Sequence, residues 1–214
     1  MAASRTDAGV HAEGQVVAFW AKPELSPIAL VKALNYYLPR DIAVKAAHKA
    51  SNDFNVRRDA LSREYRYYIL NNDTRSPFSQ RFALLVPRPL CTEAMNEACL
   101  LLQGEHDFVS FATSLDDARS TVRNIHEAKV EKKGGFVVFR VVANSFLPHQ
   151  VRNTIGLLMR LGLGKISIGD FRDIMEARNL GSASPTAPAL GLWLTKVNYS
   201  KPLGKASRDA KGRR

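Results

Sequence analysis

The stretch NIHEAKVEKKGGFVVFRVV, residues 124–142, decides how this chain folds. Two β-rich runs, 124–131 and 136–142, flank Lys132-Lys133-Gly134-Gly135, where glycine supplies the backbone freedom a tight reversal needs. The spacing predicts an antiparallel hairpin. Downstream, Val151, Ile155, Leu158 and Leu161 recur at helical intervals within 149–161, and Gly162 and Gly164 are placed to end that helix. A short helix over 170–177, a Pro- and Ser-containing loop and a last strand over 192–197 complete this side. Upstream, a helix is expected over 92–103 with Gly104 as its stop, preceded by a connecting segment, 75–89, that contains three prolines.

Further towards the N-terminus, REYRYYIL at 63–70 is an aromatic-rich strand in which alternation puts Tyr65 and Tyr67 on one face and Arg66 and Tyr68 on the other. Asn71-Asn72-Asp73 ends it as a turn. Two more strands are expected at 15–20 and 42–48. Between them Ser26-Pro27 should cap a helix whose buried face is Ile28, Val31, Leu34 and Leu38. Strands that arrive in hairpins, without strict strand–helix alternation, favour an α+β fold with a mostly antiparallel sheet. Residues 1–75 and 76–200 are expected as two halves, followed by a flexible basic tail at 201–214 with six basic residues against Asp209 alone.

The 214 residues, 45% hydrophobic, suffice for a substantial core, which excludes disorder as the main state. The most apolar run, 155–163, is interrupted by Arg160 and falls short of the roughly 20 residues a spanning helix needs. Lys and Arg number 31 against 20 Asp and Glu, a formal charge of +11, so a polyanion is the expected partner. Cys91 and Cys99 are expected as buried free thiols on one helix, because neither a disulfide framework nor a zinc-ligand spacing is present. The five histidines form no HxH or HExxH, and there is no GxGxxG, P-loop or GxSxG. No metal or nucleotide cofactor is therefore expected.

Four segments concentrate polar chemistry. SRTDAGVHA at 4–12 is either a plain Asx-type turn or a loop presenting the Asp7 carboxylate beside Arg5. Tyr65, flanked by Arg63 and Arg66, is either a sheet tyrosine or a ring for stacking an RNA base while guanidinium groups hold phosphates. NSFLPHQVRN at 144–153 is either an ordinary helix start or an anion site built from His149, Gln150, Arg152 and Asn153. PTAPALGL at 185–192 is, by itself, a loop entering a strand.

Taken together and in order, these segments resemble the TruA-type tRNA pseudouridine synthases. The matching stretches are RTDAGVHAEGQVVAF at 5–19, LNYYLPRDIAV at 34–44, FNVRRDALSREYRYYILN at 54–71, GEHDFVSFAT at 104–113, VANSFLPHQVRNTIGLLMRLGLGK at 142–165 and PTAPALGLWL at 185–194. The resemblance implies a pseudouridine synthase fold, with two similar α+β halves around a continuous sheet and a central basic cleft. It also implies isomerisation of uridine to pseudouridine in the anticodon stem-loop of tRNA, by a homodimer without metal or organic cofactor. Asp7 falls on the family's nucleophile, attacking either the uracil ring or sugar C1′. Arg152 falls on the arginine that pairs with it, and Tyr65 on the tyrosine that stacks on the target base and assists removal of the C5 proton. Arg5 would help hold the flipped nucleotide, Leu192 would wall the pocket, and His149, Gln150 and Asn153 would contact RNA.

The chain departs from the family pattern twice. Relatives carry several dozen residues before the RTDAG motif, whereas here it begins at Arg5, and their usual glycine before Arg-Thr-Asp is Ser4. An N-terminally incomplete chain is the expectation. The rival reading is a noncatalytic RNA-binding protein, or an inactive truncated form, of the same fold. Cytoplasm is the default compartment, with an organelle open if a presequence precedes Met1.

Overall fold

The computed structural model describes residues 1–21, 25–115, 120–200 and 203. The central feature is the predicted hairpin. β5 (Val122–Lys133) and β6 (Phe136–Ala143) pair antiparallel through Lys133↔Phe136, with Gly134 at φ 58° in the turn. β2 (Ala60–Leu70) pairs antiparallel with β6 along Arg63↔Ala143 to Leu70↔Phe136, and β7 (Leu192–Tyr199) pairs antiparallel with its other edge. β4 (Gly104–Asp107) extends the sheet beyond β5, while β1 (His11–Ala12) joins β7 in parallel and β3 (Leu84–Leu85) joins β2 in parallel. Among the described residues this gives a seven-stranded, mostly antiparallel sheet of order β1-β7-β2-β6-β5-β4, with β3 beside β2.

Period-two alternation sorts the two faces. Tyr65, Tyr67 and Ile69 of β2, Val137, Phe139 and Val141 of β6, and Ala128 and Val130 of β5 are all buried. α2 (Thr92–Leu102), α3 (Gln150–Gly162) and α4 (Ile168–Glu176) share that core through Met95, Ala98, Cys99 and Leu102, through Val151, Ile155 and Leu158, and through Phe171 and Met175. Truncating a fully buried side chain such as Leu158 to alanine would cost about 2–5 kcal/mol in lost transfer energy and cavity formation. α4 starts on a capping box, Ser167 Oγ accepting from Asp170 N–H while the Asp170 carboxylate accepts from Ser167 N–H. Gly156 lies where a Cβ would meet the Pro185 carbonyl oxygen at 2.0 Å, so only glycine lets α3 and the 185–188 loop approach.

Several expectations are corrected. α1 (Pro27–Tyr37) forms, with Ser26 Oγ accepting from Ala29 N–H, but none of its residues is buried, because no layer covers its apolar face among the described residues. The strand expected at 42–48 is absent. The Asn35 side chain instead donates to Val44 O at 2.9 Å and accepts from Val44 N–H at 2.6 Å, satisfying that backbone without a ladder. The strand expected at 15–20 is reduced to one bridge, Ala2↔Val17, and Phe19 and Trp20 are exposed. Cys91 is exposed at the N-cap of α2 and only Cys99 is buried, so the thiols do not share a core face. The basic tail lies outside the described residues apart from Leu203. No described helix is long and apolar enough to cross a membrane.

Candidate active site

The loop before β1 carries Asp7, and its shape follows from Asp-Ala-Gly chemistry. Val10 N–H donates to Asp7 O at 3.1 Å, closing a turn whose third residue, Gly9, sits at φ 82° where glycine is free of Cβ strain. The carboxylate is left about one-third exposed at 35%. Across from it, α3 begins with His149 in a left-handed conformation, φ 59° and ψ 3°, uncommon for a residue other than glycine.

Arg152 Nη1 donates to Asp7 Oδ2 at 2.7 Å, and its Nε donates to Ala187 O at 2.7 Å, so two fork positions fix the guanidinium. His149 Nε2 lies 3.2 Å from the same Oδ2, while its Nδ1 meets Thr113 Oγ1 at 2.8 Å. A neutral imidazole satisfies both contacts by accepting the Thr113 hydroxyl at Nδ1 and donating from Nε2. Both donors converge on one oxygen. Among the described residues no hydrogen bond reaches Asp7 Oδ1.

Tyr65 lies on β2 at 6% exposure, edge-to-face with Phe146 at 5.3 Å. Its hydroxyl is 2.7 Å from Ser4 Oγ, three residues before Asp7. Burial raises the Tyr65 pKa, against the Ser4 hydrogen bond and the Arg63 charge, which lower it. Beside it on the same face, Tyr67 donates to Pro188 O at 2.8 Å, and burial pushes its phenol up as well. A Cβ on Gly191 would meet the Tyr67 ring at 2.7 Å. The 187–191 segment thus anchors Arg152 and Tyr67 together, and a Cβ on Gly9 would touch the Ala189 methyl at 3.5 Å.

Other expected site residues are arranged differently. Arg5 is exposed on the Asp7 loop, and Leu192 is buried at the start of β7 opposite Tyr67. Gln150 is buried, its Oε1 accepting from Leu147 N–H at 2.8 Å. Asn153 is buried too, donating to Phe111 O at 2.7 Å and accepting from the Thr186 hydroxyl at 2.5 Å. The polar ends of both are therefore spent on shaping the loop–helix junction. Arg63 corrects another expectation. It is buried and donates to the carbonyls of Ala60, Asn144, Ala3 and Arg57, so its guanidinium holds backbone where a phosphate clamp was expected.

Residue spacing gave no signal for Thr113 or Ser4, because their partners lie 36 and 61 positions away. A bulge in β7 supports the same corner. Thr195 falls between the pairs Glu64↔Lys196 and Tyr65↔Leu194, and its hydroxyl donates to Glu64 O at 3.2 Å and Glu64 Oε1 at 3.1 Å. The N–H groups of Glu13 and Gly14 both reach Leu194 O, which ties the end of β1 to β7 beside Tyr65. Among the described residues no group of three or more His, Cys, Asp or Glu converges as metal ligands.

An arginine and a histidine thus hold the Asp7 carboxylate on the loop whose Ser4 hydroxyl meets that of the buried Tyr65. Residues 98–200 match the family described as tRNA pseudouridine synthase. The chain is 41% identical over 197 residues to tRNA pseudouridine synthase A of Francisella tularensis subsp. novicida (strain U112), covering 92% of this chain and 76% of that protein. It is likewise 41% identical over 201 residues to tRNA pseudouridine synthase A of Exiguobacterium sp. (strain ATCC BAA-1283 / AT1b), covering 94% of this chain and 81% of that one. The chain belongs to the tRNA pseudouridine synthase family.

Proposed function

We propose that this protein isomerises uridine to pseudouridine in the anticodon stem-loop of tRNA, with Asp7 as the nucleophile and without metal or organic cofactor. The observation that carries the reading is the convergence of Arg152 and His149 on Asp7 Oδ2, which holds the carboxylate in place and leaves Oδ1 to attack. The Arg152 guanidinium places a positive charge against that carboxylate and fixes its orientation.

Attack by Asp7 falls on the uracil ring or on sugar C1′. The N1–C1′ bond then breaks, the uracil turns within the pocket, and a C5–C1′ bond forms. C5 gives up its proton, N1 gains one and the Asp7 carboxylate is released, so the product has the composition of the substrate. Tyr65 is suited to receive the C5 proton or to pack against the base, and Leu192 to wall the pocket. Arg5, on the same loop as Asp7, would help hold a flipped nucleotide, whose extrusion costs a few kcal/mol. His149 acts by orienting Asp7, Gln150 and Asn153 by fixing the start of α3. A formal charge of +11 supports a polyanionic partner.

The same reading takes 1–75 and 76–200 as two similar halves, joined in the sheet by β2 between β6 and β7, and takes the enzyme as a homodimer. Exposed apolar side chains such as Phe19, Trp20, Ile28 and Tyr36 offer surface for association. The test is to incubate unmodified tRNA with the protein and map pseudouridine by carbodiimide-induced primer-extension stops. New stops in the anticodon arm are expected, with binding that weakens as salt rises. Treated tRNA without new stops would refute the reading.

A further inference from the structure

Ser4 immediately precedes the RTDAG segment, at the position where the family this chain resembles usually has glycine. The residue has no positive φ, so glycine's conformational freedom is not what the backbone requires there. Instead the loop is clamped on both sides. Gln15 Nε2 donates to Ser4 O at 2.8 Å, Ser4 N–H reaches Gln15 Oε1 at 3.4 Å, Ala3 N–H donates to Val16 O at 2.9 Å and Arg63 Nη2 donates to Ala3 O at 3.2 Å. With its backbone held in this way, the Ser4 side chain meets the Tyr65 hydroxyl at 2.7 Å, its one hydrogen-bond partner among the described residues.

We infer that Ser4 is a positioning residue for Tyr65, fixing the rotation of its phenol and joining it to the loop that carries Asp7. The inference rests on the proposed role of Tyr65 in the reaction. A phenol at 6% exposure has little water to solvate it, so one short hydrogen bond sets both where its oxygen points and how readily it gives up a proton. Among the described residues the charged groups acting on it are Arg63, which favours the phenolate, and Asp7, which opposes it. The antiparallel neighbours Val141 and Leu194 and the ring of Phe146 bring no charge. The Ser4 hydrogen bond works in the same direction as Arg63, towards the phenolate. Removing the hydroxyl should therefore move Tyr65 titration to higher pH and slow the step that uses its oxygen.

The test compares wild type, Ser4→Ala, Tyr65→Phe and the double variant. Tyrosine labelled with carbon-13 at Cζ reports titration by NMR, and the Tyr65 signal is the one missing from Tyr65→Phe. In Ser4→Ala that signal should titrate at higher pH than in wild type. Turnover on tRNA should fall about three- to tenfold, the worth of one hydrogen bond, with tRNA affinity unchanged. In the Tyr65→Phe background Ser4→Ala should change turnover less than twofold, because the partner hydroxyl is already gone. An unmoved Tyr65 titration, or an equal loss of turnover in both backgrounds, overturns the assignment. A wild type with no activity that Asp7→Ala could abolish fails the synthase reading instead, and the titration then still decides the Ser4–Tyr65 contact.

Discussion

Arg152 and Asp7 are separated by 145 residues in sequence and by 2.7 Å between Nη1 and Oδ2. Removing that guanidinium strips the carboxylate of its charged partner and leaves Ala187 O without its donor. Arg152→Ala should lower turnover about a hundredfold or more while changing tRNA affinity by less than about threefold. Arg152→Lys should fall between the two, because a single ammonium cannot span both Asp7 and Ala187. Steady-state turnover beside filter binding separates the effects, and a loss confined to affinity would make Arg152 an RNA contact.

His149 supplies a stability test that is independent of RNA. Its left-handed backbone at φ 59° costs an L-residue about 1 kcal/mol that glycine does not bear, while its imidazole bridges Asp7 and Thr113. His149→Ala and His149→Gly both lose the bridge and should both lose activity. The glycine variant should be the more stable of the two by about 1 kcal/mol in denaturant unfolding. Equal stability would mean that the turn relaxes once the imidazole is gone.

The thiols differ enough to be counted. Cys91 is exposed, and burial pushes Cys99 up to about 12, where it stays protonated at ordinary pH. Alkylation of the native protein at pH 8 should modify one thiol, and alkylation in denaturant two. Rapid modification of both in the native protein would place Cys99 outside the core.

Acid stability should depend on Glu64. Burial alone would raise its pKa, but hydrogen bonds from Arg140, Thr195 and Arg66 outweigh burial and hold it below the ordinary 4.5. A carboxylate with a lower folded than unfolded pKa stabilises the fold at pH above the unfolded value, and that contribution is lost as pH falls through the folded one. Glu64→Gln should cost about 1–3 kcal/mol near pH 7 and flatten the decline of stability below about pH 4.5. An unchanged acid limb by chemical denaturation would assign the decline to other carboxylates.

What could be read in the sequence follows from the range of the interactions involved. The 124–142 hairpin, β2, α2 and α3 were legible because their turns, glycines and apolar periods are local. The buried face expected for Ile28, Val31, Leu34 and Leu38 was not, because burial depends on a covering layer that periodicity does not supply. The 42–48 strand failed because one side chain, Asn35, took over the backbone groups of Val44. β1 and β3 are two residues each, too short to carry an alternation signal. At the site, Asp7 and Arg152 were marked by their motifs, and the structure brings them together. The contacts of His149 with Asp7 and of Ser4 with Tyr65 link distant segments and became visible only in three dimensions.

The proposal that Asp7 is the nucleophile of a uridine isomerisation meets its most direct test in tritium release. Unmodified tRNA carrying tritium at uridine C5 loses it to water when C5 exchanges its proton for the bond to C1′. Wild-type protein should release tritium in proportion to pseudouridine formed, and Asp7→Ala should release none above background while binding tRNA with affinity within about threefold of wild type. Release by Asp7→Ala at the wild-type rate would contradict the assignment of the nucleophile.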